Sequence, residues 1–212
     1  MMTDLILVLV MLTNLKLLSS SRLGSKIRVA AAQGVMLGLL PVLAHTHEVS
    51  LQLAALAVVT IALKGVVFPW LLFRALREAE VTREVEPYVG YITSILIGLA
   101  ALAASFWLGG RLTISTVEPT SLLVPSSLFS ILAGLFLIVA RKRAINQVLG
   151  FLVLENGIYT FGVGIVAVTP FLVELGVLLD AFVAVFVMGI AVYHINREFD
   201  HIEVNQLDRL KG

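Results

Sequence analysis

Apolar residues run along this chain in long, nearly continuous stretches, separated by short polar segments. A bilayer core of about 30 Å takes ~20 residues of helix. On that measure the pattern predicts spans near 2–19, 29–44, 50–73, 88–108, 122–140, 145–168 and 170–194. The first two are slightly short, and Lys16 can snorkel at the end of the first. The third contains Lys64, Pro69 and Trp70. The fourth has Tyr88 and Trp107 at its two rims, as an interfacial aromatic belt requires. The segments between them are SSSRLGSKIR, HTHEVS, RALREAEVTREVEP and a Gly- and Pro-containing stretch from Gly109 to Pro125. Spans six and seven are separated only by Thr169-Pro170, so they are expected to be antiparallel neighbours. Membrane β-barrels alternate polar and apolar residues over segments of about ten, and these runs do not. The fold class expected is an all-α integral membrane protein of about seven transmembrane helices.

Composition agrees. The 212 residues are 59% hydrophobic and 14% charged, against about 45–50% and about 25% for soluble domains. Mean hydropathy is +1.01. The N-terminal run has Asp4 where a cleavable signal has basic residues, and no small-x-small site follows, so it reads as a retained first helix. The net charge of +1 gives no bulk attraction for nucleic acid. The absence of cysteine excludes thiolate-held zinc, iron–sulfur clusters and disulfides within this chain.

The cations set an expected orientation. Seven spans place the basic residues of Arg22–Arg28, Arg74–Arg83, Arg141–Arg143 and Arg197–Lys211 on one side and only Arg111 on the other. The positive-inside rule makes the first side cytoplasmic. The N-terminus is then outside and the C-terminus inside, in a multi-pass protein of the cell inner (plasma) membrane.

Two carboxylates interrupt the last two apolar runs far from their ends: Glu155 and Asp180. An ionisable residue at mid-membrane is costly and marks an ion path or a paired site. By helix rise both acids sit at similar mid-membrane depth. A carboxyl that burial pushes one way and a nearby cation the other can exchange a proton. Lys64, the mid-span cation, is the expected counter-charge. Tyr159 follows Glu155 by one helical turn and is a candidate to hydrogen-bond it. His194, near the inner end of the last span, is a candidate proton exit. Gln33 is a candidate relay, although amides commonly join membrane helices. Each site has a plainer reading: a helix–helix hydrogen bond for the acids, snorkelling or structural pairing for Lys64, packing for Tyr159, an interfacial position for His194. Glu174 reads as a rim residue, and Arg141, Lys142 and Arg143 as topology determinants. His45 and His47 make a weak metal pair, so no metal site is expected. No phosphate loop, nucleophile elbow or dinucleotide fingerprint appears.

Spans one to three and five to seven share a layout: an apolar helix, a basic inner turn, a helix with a polar residue (Gln33-Gly34 or Glu155-Asn156), and a helix with a mid-depth charge (Lys64 or Asp180). This divides the chain into an N-terminal three-helix unit (1–87), a linking helix with its outer loop (88–121) and a C-terminal three-helix unit with a cytoplasmic tail (122–212). A parallel duplication gives this layout, and so do generic three-helix groups with basic turns.

The strings ARKRAINQ, FLVLENGIY and LLDAFVAVFVMGI carry a resemblance. The segment from about Ser127 to Gly212 resembles the K subunit of bacterial complex I, a three-helix protein of its proton-pumping arm. Over its full length the chain resembles the hydrogenase-4 component E family of formate hydrogenlyases and related group 4 nickel–iron hydrogenases. The K subunit has Glu where this chain has Asp180, which is one methylene shorter. The resemblance implies a proton-translocating membrane subunit without a catalytic centre or cofactor of its own. It would pack among antiporter-like membrane subunits and hydrophilic hydrogenase subunits, which would hold the nickel–iron centre and iron–sulfur clusters. Glu155, Asp180 and Lys64 would carry the protons, with Tyr159, His194 and Gln33 as possible relays. A multisubunit sodium/proton antiporter and a purely structural membrane spacer stand as alternatives.

Overall fold

The computed structural model describes residues 2–44, 51–78, 87–112 and 121–165. Among them the chain is helical apart from turns, with no strand. The helices are α1 (Met2–Ser19), α2 (Leu23–Ala44), α3 (Leu51–Thr60) running through a π-helical segment (Ile61–Val67) into α4 (Phe68–Glu78), α5 (Tyr91–Gly109), α6 (Leu123–Ala140) and α7 (Ala144–Ile165). Five stretches are long and apolar enough to cross a membrane: Met2–Ser19, Leu23–Leu43, Ala57–Arg77, Tyr91–Gly109 and Leu123–Ala140. The protein is a multi-pass membrane protein. α7 has 22 residues and packs along α6. The expected span 170–194 lies outside the described residues.

Among the described residues, each of the first six expected spans contains helix, but the boundaries shift where a charged residue is buried. α2 begins at Leu23, not near 29, and absorbs Lys26 into its first turns. Lys26 is only 1% exposed. A charge-counting boundary put it in a solvated loop, whereas a buried amide partner holds it inside the helix. The third span runs on to Glu78 rather than stopping near 73.

Helices in lipid gain little from burying apolar surface against one another, so they associate through close packing and polar contacts. Both devices are present. α6 and α7 meet through Gly134, Gly150 and Gly157, where an added Cβ at Gly157 would fall 2.7 Å from the Ile131 backbone nitrogen. The glycines let the two backbones touch. Around this pair lie three apolar clusters: Ile27, Phe68, Leu72 and Leu152 at one end; Leu7, Val10, Leu40 and Leu123 at the other; Met11, Leu18, Phe129 and Val153 between α1, α6 and α7.

Among the described residues, the basic turns around Lys26 and Arg141 lie at one end of the bundle. Arg141, read from the sequence as a topology determinant, is fully buried. Its guanidinium donates to Leu18 O at 2.9 Å, Ser94 Oγ at 3.1 Å and Val89 O at 3.2 Å, and it stacks 4.7 Å from the Tyr91 ring centroid. It thus satisfies a carbonyl that α1 leaves open at its C-terminus and ties in the start of α5. Lys142, beside it, is exposed and lies over Tyr88.

α1 and α6 have 18 residues each, and α2 and α7 have 22 each. Residues 20–22 join the first pair and residues 141–143 the second. The turns match as well: Ser25 N and Lys26 N donate to Arg22 O, as Asn146 N and Gln147 N donate to Arg143 O. Counted from the helix start, Gly34 in α2 stands where Glu155 stands in α7.

Candidate functional site

Lys64 sits in the middle of the π-helical segment. The local cause is Pro69. Proline supplies no N–H, and its ring crowds the carbonyl four residues back, here that of Gly65. The chain widens ahead of it, and Phe68 N–H reaches back to Leu63 O. Such single wide turns re-aim a side chain and recur at functional sites. Here the turn directs Lys64 inward, to 6% exposure. Gly34 of α2 makes the approach possible, since a Cβ there would lie 2.5 Å from Lys64 Cβ and 3.0 Å from its carbonyl carbon.

Glu155 comes from α7, midway along its 22 residues. Its Oε1 lies 2.7 Å from Lys64 Nζ, and both side chains are about one-twentieth exposed. Lys64 Nζ also donates to Asn156 Oδ1 at 3.2 Å and lies 5.3 Å from the Tyr159 ring centroid. One ammonium thus faces a carboxylate, an amide oxygen and an aromatic face. A buried pair of this kind stands only when the remaining polar valences are met. Asn156 meets one of them. The sequence singled out its neighbour, and it passed unremarked because a single amide in an apolar run reads as helix glue.

The structure therefore brings Lys64, Glu155 and Tyr159 together, with Asn156 added. Tyr159 presents its ring to the pair, where the sequence suggested a hydroxyl bond to Glu155. Gln33 belongs elsewhere. Its Nε2 donates to Asn14 Oδ1 at 2.7 Å and Thr13 Oγ1 at 2.8 Å. Asn14 Nδ2 donates to Ser130 Oγ at 2.8 Å, and Ser130 Oγ donates to Ser126 O at 2.9 Å. This neutral network joins α1, α2 and α6, on a different face of α2 from the one Gly34 turns to Lys64. Asp180 and His194 lie outside the described residues.

The model of the NADH-ubiquinone/plastoquinone oxidoreductase chain 4L family matches residues 122–212, which include Glu155. The C-terminal part of the chain is thus similar to this family. It is also 33% identical, over 87% of its own length and 84% of the relative's, to the uncharacterized protein Rv0085 of Mycobacterium tuberculosis. It is 36% identical over 81 residues to hydrogenase-4 component E of Escherichia coli and to that of Shigella flexneri. Those matches span 38% of this chain and 38% of each of those proteins. No solved structure matches the chain. The similarity to chain 4L and to hydrogenase-4 component E supports a membrane subunit of a complex I-like complex. Lys64 lies outside the matched residues, so the pair joins a carboxylate within them to a cation from the other half of the chain.

Proposed function

We propose that the protein relays protons across the membrane as a subunit of a complex I-like, group 4 hydrogenase complex, with Glu155 and Lys64 as the exchanging pair. The observation that carries this is the 2.7 Å contact between the two, buried at the middle of their spans. With the pair closed, each charge offsets the burial cost of the other. When a neighbouring subunit draws Lys64 away, the buried carboxylate is left costly, and uptake of a proton removes that cost. Closing the pair expels the proton. Asn156 holds the ammonium while it moves, and the Tyr159 ring receives it at small cost. Asp180 and His194 would continue the path towards the C-terminal tail.

The basic end of the bundle faces the cytoplasm of a bacterial inner membrane, with the N-terminus outside. The chain binds no redox cofactor, and partner subunits hold the nickel–iron centre and iron–sulfur clusters. Antiporter-like subunits flank it. The matched lengths and turns of α1–α2 and α6–α7 support a reading of residues 1–87 and 122–212 as two related units joined by α5.

Isolating the intact complex through a tag on this chain tests the setting. Co-purification of antiporter-like and hydrogenase subunits, with nickel and iron in the preparation, is expected. An intact complex of antiporter-like subunits lacking both metals contradicts the hydrogenase setting and leaves a sodium/proton antiporter. The relay itself is tested by Glu155→Gln, which is expected to assemble and to lose proton movement.

A further inference from the structure

Lys64 is held in the way a dissolved cation is bound. Its Nζ lies 2.7 Å from Glu155 Oε1 and 3.2 Å from Asn156 Oδ1, with the Tyr159 ring centroid at 5.3 Å. Carboxylate and amide oxygens and aromatic faces are the groups that receive cations generally. All three come from a single turn of α7, at residues 155–159. The ammonium comes from the π-helical segment. One element thus carries a seat and another its occupant. The charge of the seat is that of the Glu155 carboxylate, which matches a monovalent cation. Among the described residues, no three His, Cys, Asp or Glu side chains gather as a metal site.

The occupant is pinned. Lys64 stands so close to α2 that a Cβ at Gly34 would fall 2.5 Å from Lys64 Cβ. A Cβ at Gly65, the next residue, would fall 2.7 Å from Val35 Cγ2. A tethered group held at its target has an effective concentration that a dissolved competitor must exceed. The space beside it is small as well. The cavity that Lys64 and Asn156 line has room for about one water, and its other walls, among them Ala30, Phe68 and Leu72, are apolar. Hard cations take a shell of oxygen ligands, and with the lysine stem in place that shell stays incomplete. A sodium ion entering beside Lys64 would also set two positive charges against one buried carboxylate, where like charges disfavour each other.

We propose that Glu155, Asn156 and Tyr159 form a monovalent-cation site whose resident cation is Lys64, and that Lys64 keeps sodium out and leaves the proton as the ion Glu155 exchanges. The inference rests on the relay reading and adds its ion selectivity. When Lys64 leaves the carboxylate, a proton needs a single oxygen lone pair. Sodium needs a shell that the tethered stem obstructs.

Lys64→Ala empties the seat, and water can then complete a shell in the vacated volume. The complex carrying it is melted in nanodiscs in choline chloride, sodium chloride or propylammonium chloride at equal ionic strength. Propylammonium has the carbons and nitrogen that the substitution removes. Sodium tests the oxygens alone, and choline is too large for the vacated space. Sodium and propylammonium are each expected to raise the melting temperature saturably over choline, by about 5 °C at ~100-fold excess over the dissociation constant. Adding Glu155→Gln is expected to abolish the sodium effect. Wild type is expected to melt alike in all three salts and to move protons equally in sodium and choline buffers.

A Lys64→Ala complex that neither ion stabilises overturns the seat, and so does a sodium effect that survives Glu155→Gln. Stabilisation by propylammonium alone overturns the selectivity, since sodium then has no seat to be kept from. Wild-type proton movement that requires sodium overturns the exclusion. Gly34→Ala carries the test where Lys64→Ala does not assemble, because it keeps both charges and pushes Lys64 off the seat. Sodium is expected to stabilise that variant over choline, and equal melting overturns the proposal. Melting readouts separate these outcomes from the relay. Loss of proton movement in Glu155→Gln with no ion effect in Lys64→Ala leaves the relay standing and removes the selectivity. An ion effect in Lys64→Ala with protons still moving in Glu155→Gln removes the relay and leaves the seat.

Discussion

Two buried polar clusters meet α2 on different faces, at Gln33 and at Gly34, and they are built differently. On one side, Gln33, Asn14, Thr13 and Ser130 join three regular helices through neutral hydrogen bonds of 2.7–2.8 Å. On the other, Lys64 and Glu155 carry full charges, and Lys64 stands on a wide π-helical turn ahead of Pro69. The neutral network directs its donors one way, from amide to amide to hydroxyl to carbonyl, and has no group that changes charge. It suits holding helices together. The charged pair has two states of protonation, an irregular backbone beneath one partner and an aromatic face beside it. It suits moving a proton. Burial alone therefore does not separate a structural cluster from a working one. On the proposed reading, charge and backbone irregularity do.

The comparison can be broken most sharply at Lys64. Lys64→Met leaves Glu155 buried without its cation, which costs about 3–5 kcal/mol. The complex is expected to melt well below wild type or to assemble in low yield, measured by thermal stability in nanodiscs and by yield. Adding Glu155→Gln is expected to recover most of that stability but no proton movement. No recovery in the double variant would mean that Lys64 stabilises through other contacts.

Gly34→Val tests the seat of the pair. The added side chain meets Lys64 Cβ and backbone, and overpacking of this kind costs about 1–3 kcal/mol. Displacing Lys64 is expected to lower proton movement more than yield. Gln33→Leu tests the other cluster. Interhelical hydrogen bonds in membranes average about 0.6 kcal/mol, with a maximum near 1.7, so a loss of about 1 kcal/mol is expected with proton movement per turnover unchanged. A Gln33→Leu complex that is stable but uncoupled would move Gln33 from glue to relay. Ser130→Ala is expected to be the mildest, a few tenths of a kcal/mol at most by the same measure.

Much of the fold was legible in the sequence because membrane spans are written in long apolar runs. The ends were less legible. Lys26 and Arg141 look like loop cations, but the partners that bury them, Asn146 for one and Leu18 O, Val89 O and Ser94 for the other, are remote in sequence. The carboxylate of the site was legible because Glu155 is costly where it stands, and Lys64 followed as its counter-charge. Asn156 was not, because nothing in the local pattern marks an amide as the second acceptor of a lysine 92 positions away. Gln33 shows the converse. Its mid-span place suggested a relay role, but its hydrogen bonds run to α1, away from Lys64. Pro69 was visible in the sequence, but its effect was not, since a proline kink and a π-helical turn ahead of a proline read alike.

Proton movement per hydrogen turned over, in proteoliposomes holding the purified complex with Glu155→Gln, tests the central claim most directly. The account predicts wild-type yield and subunit content, with proton movement per turnover falling to background. An assembled Glu155→Gln complex that moves protons at the wild-type ratio would contradict it, and the Lys64–Glu155 pair would then be a structural tie between α7 and the π-helical segment.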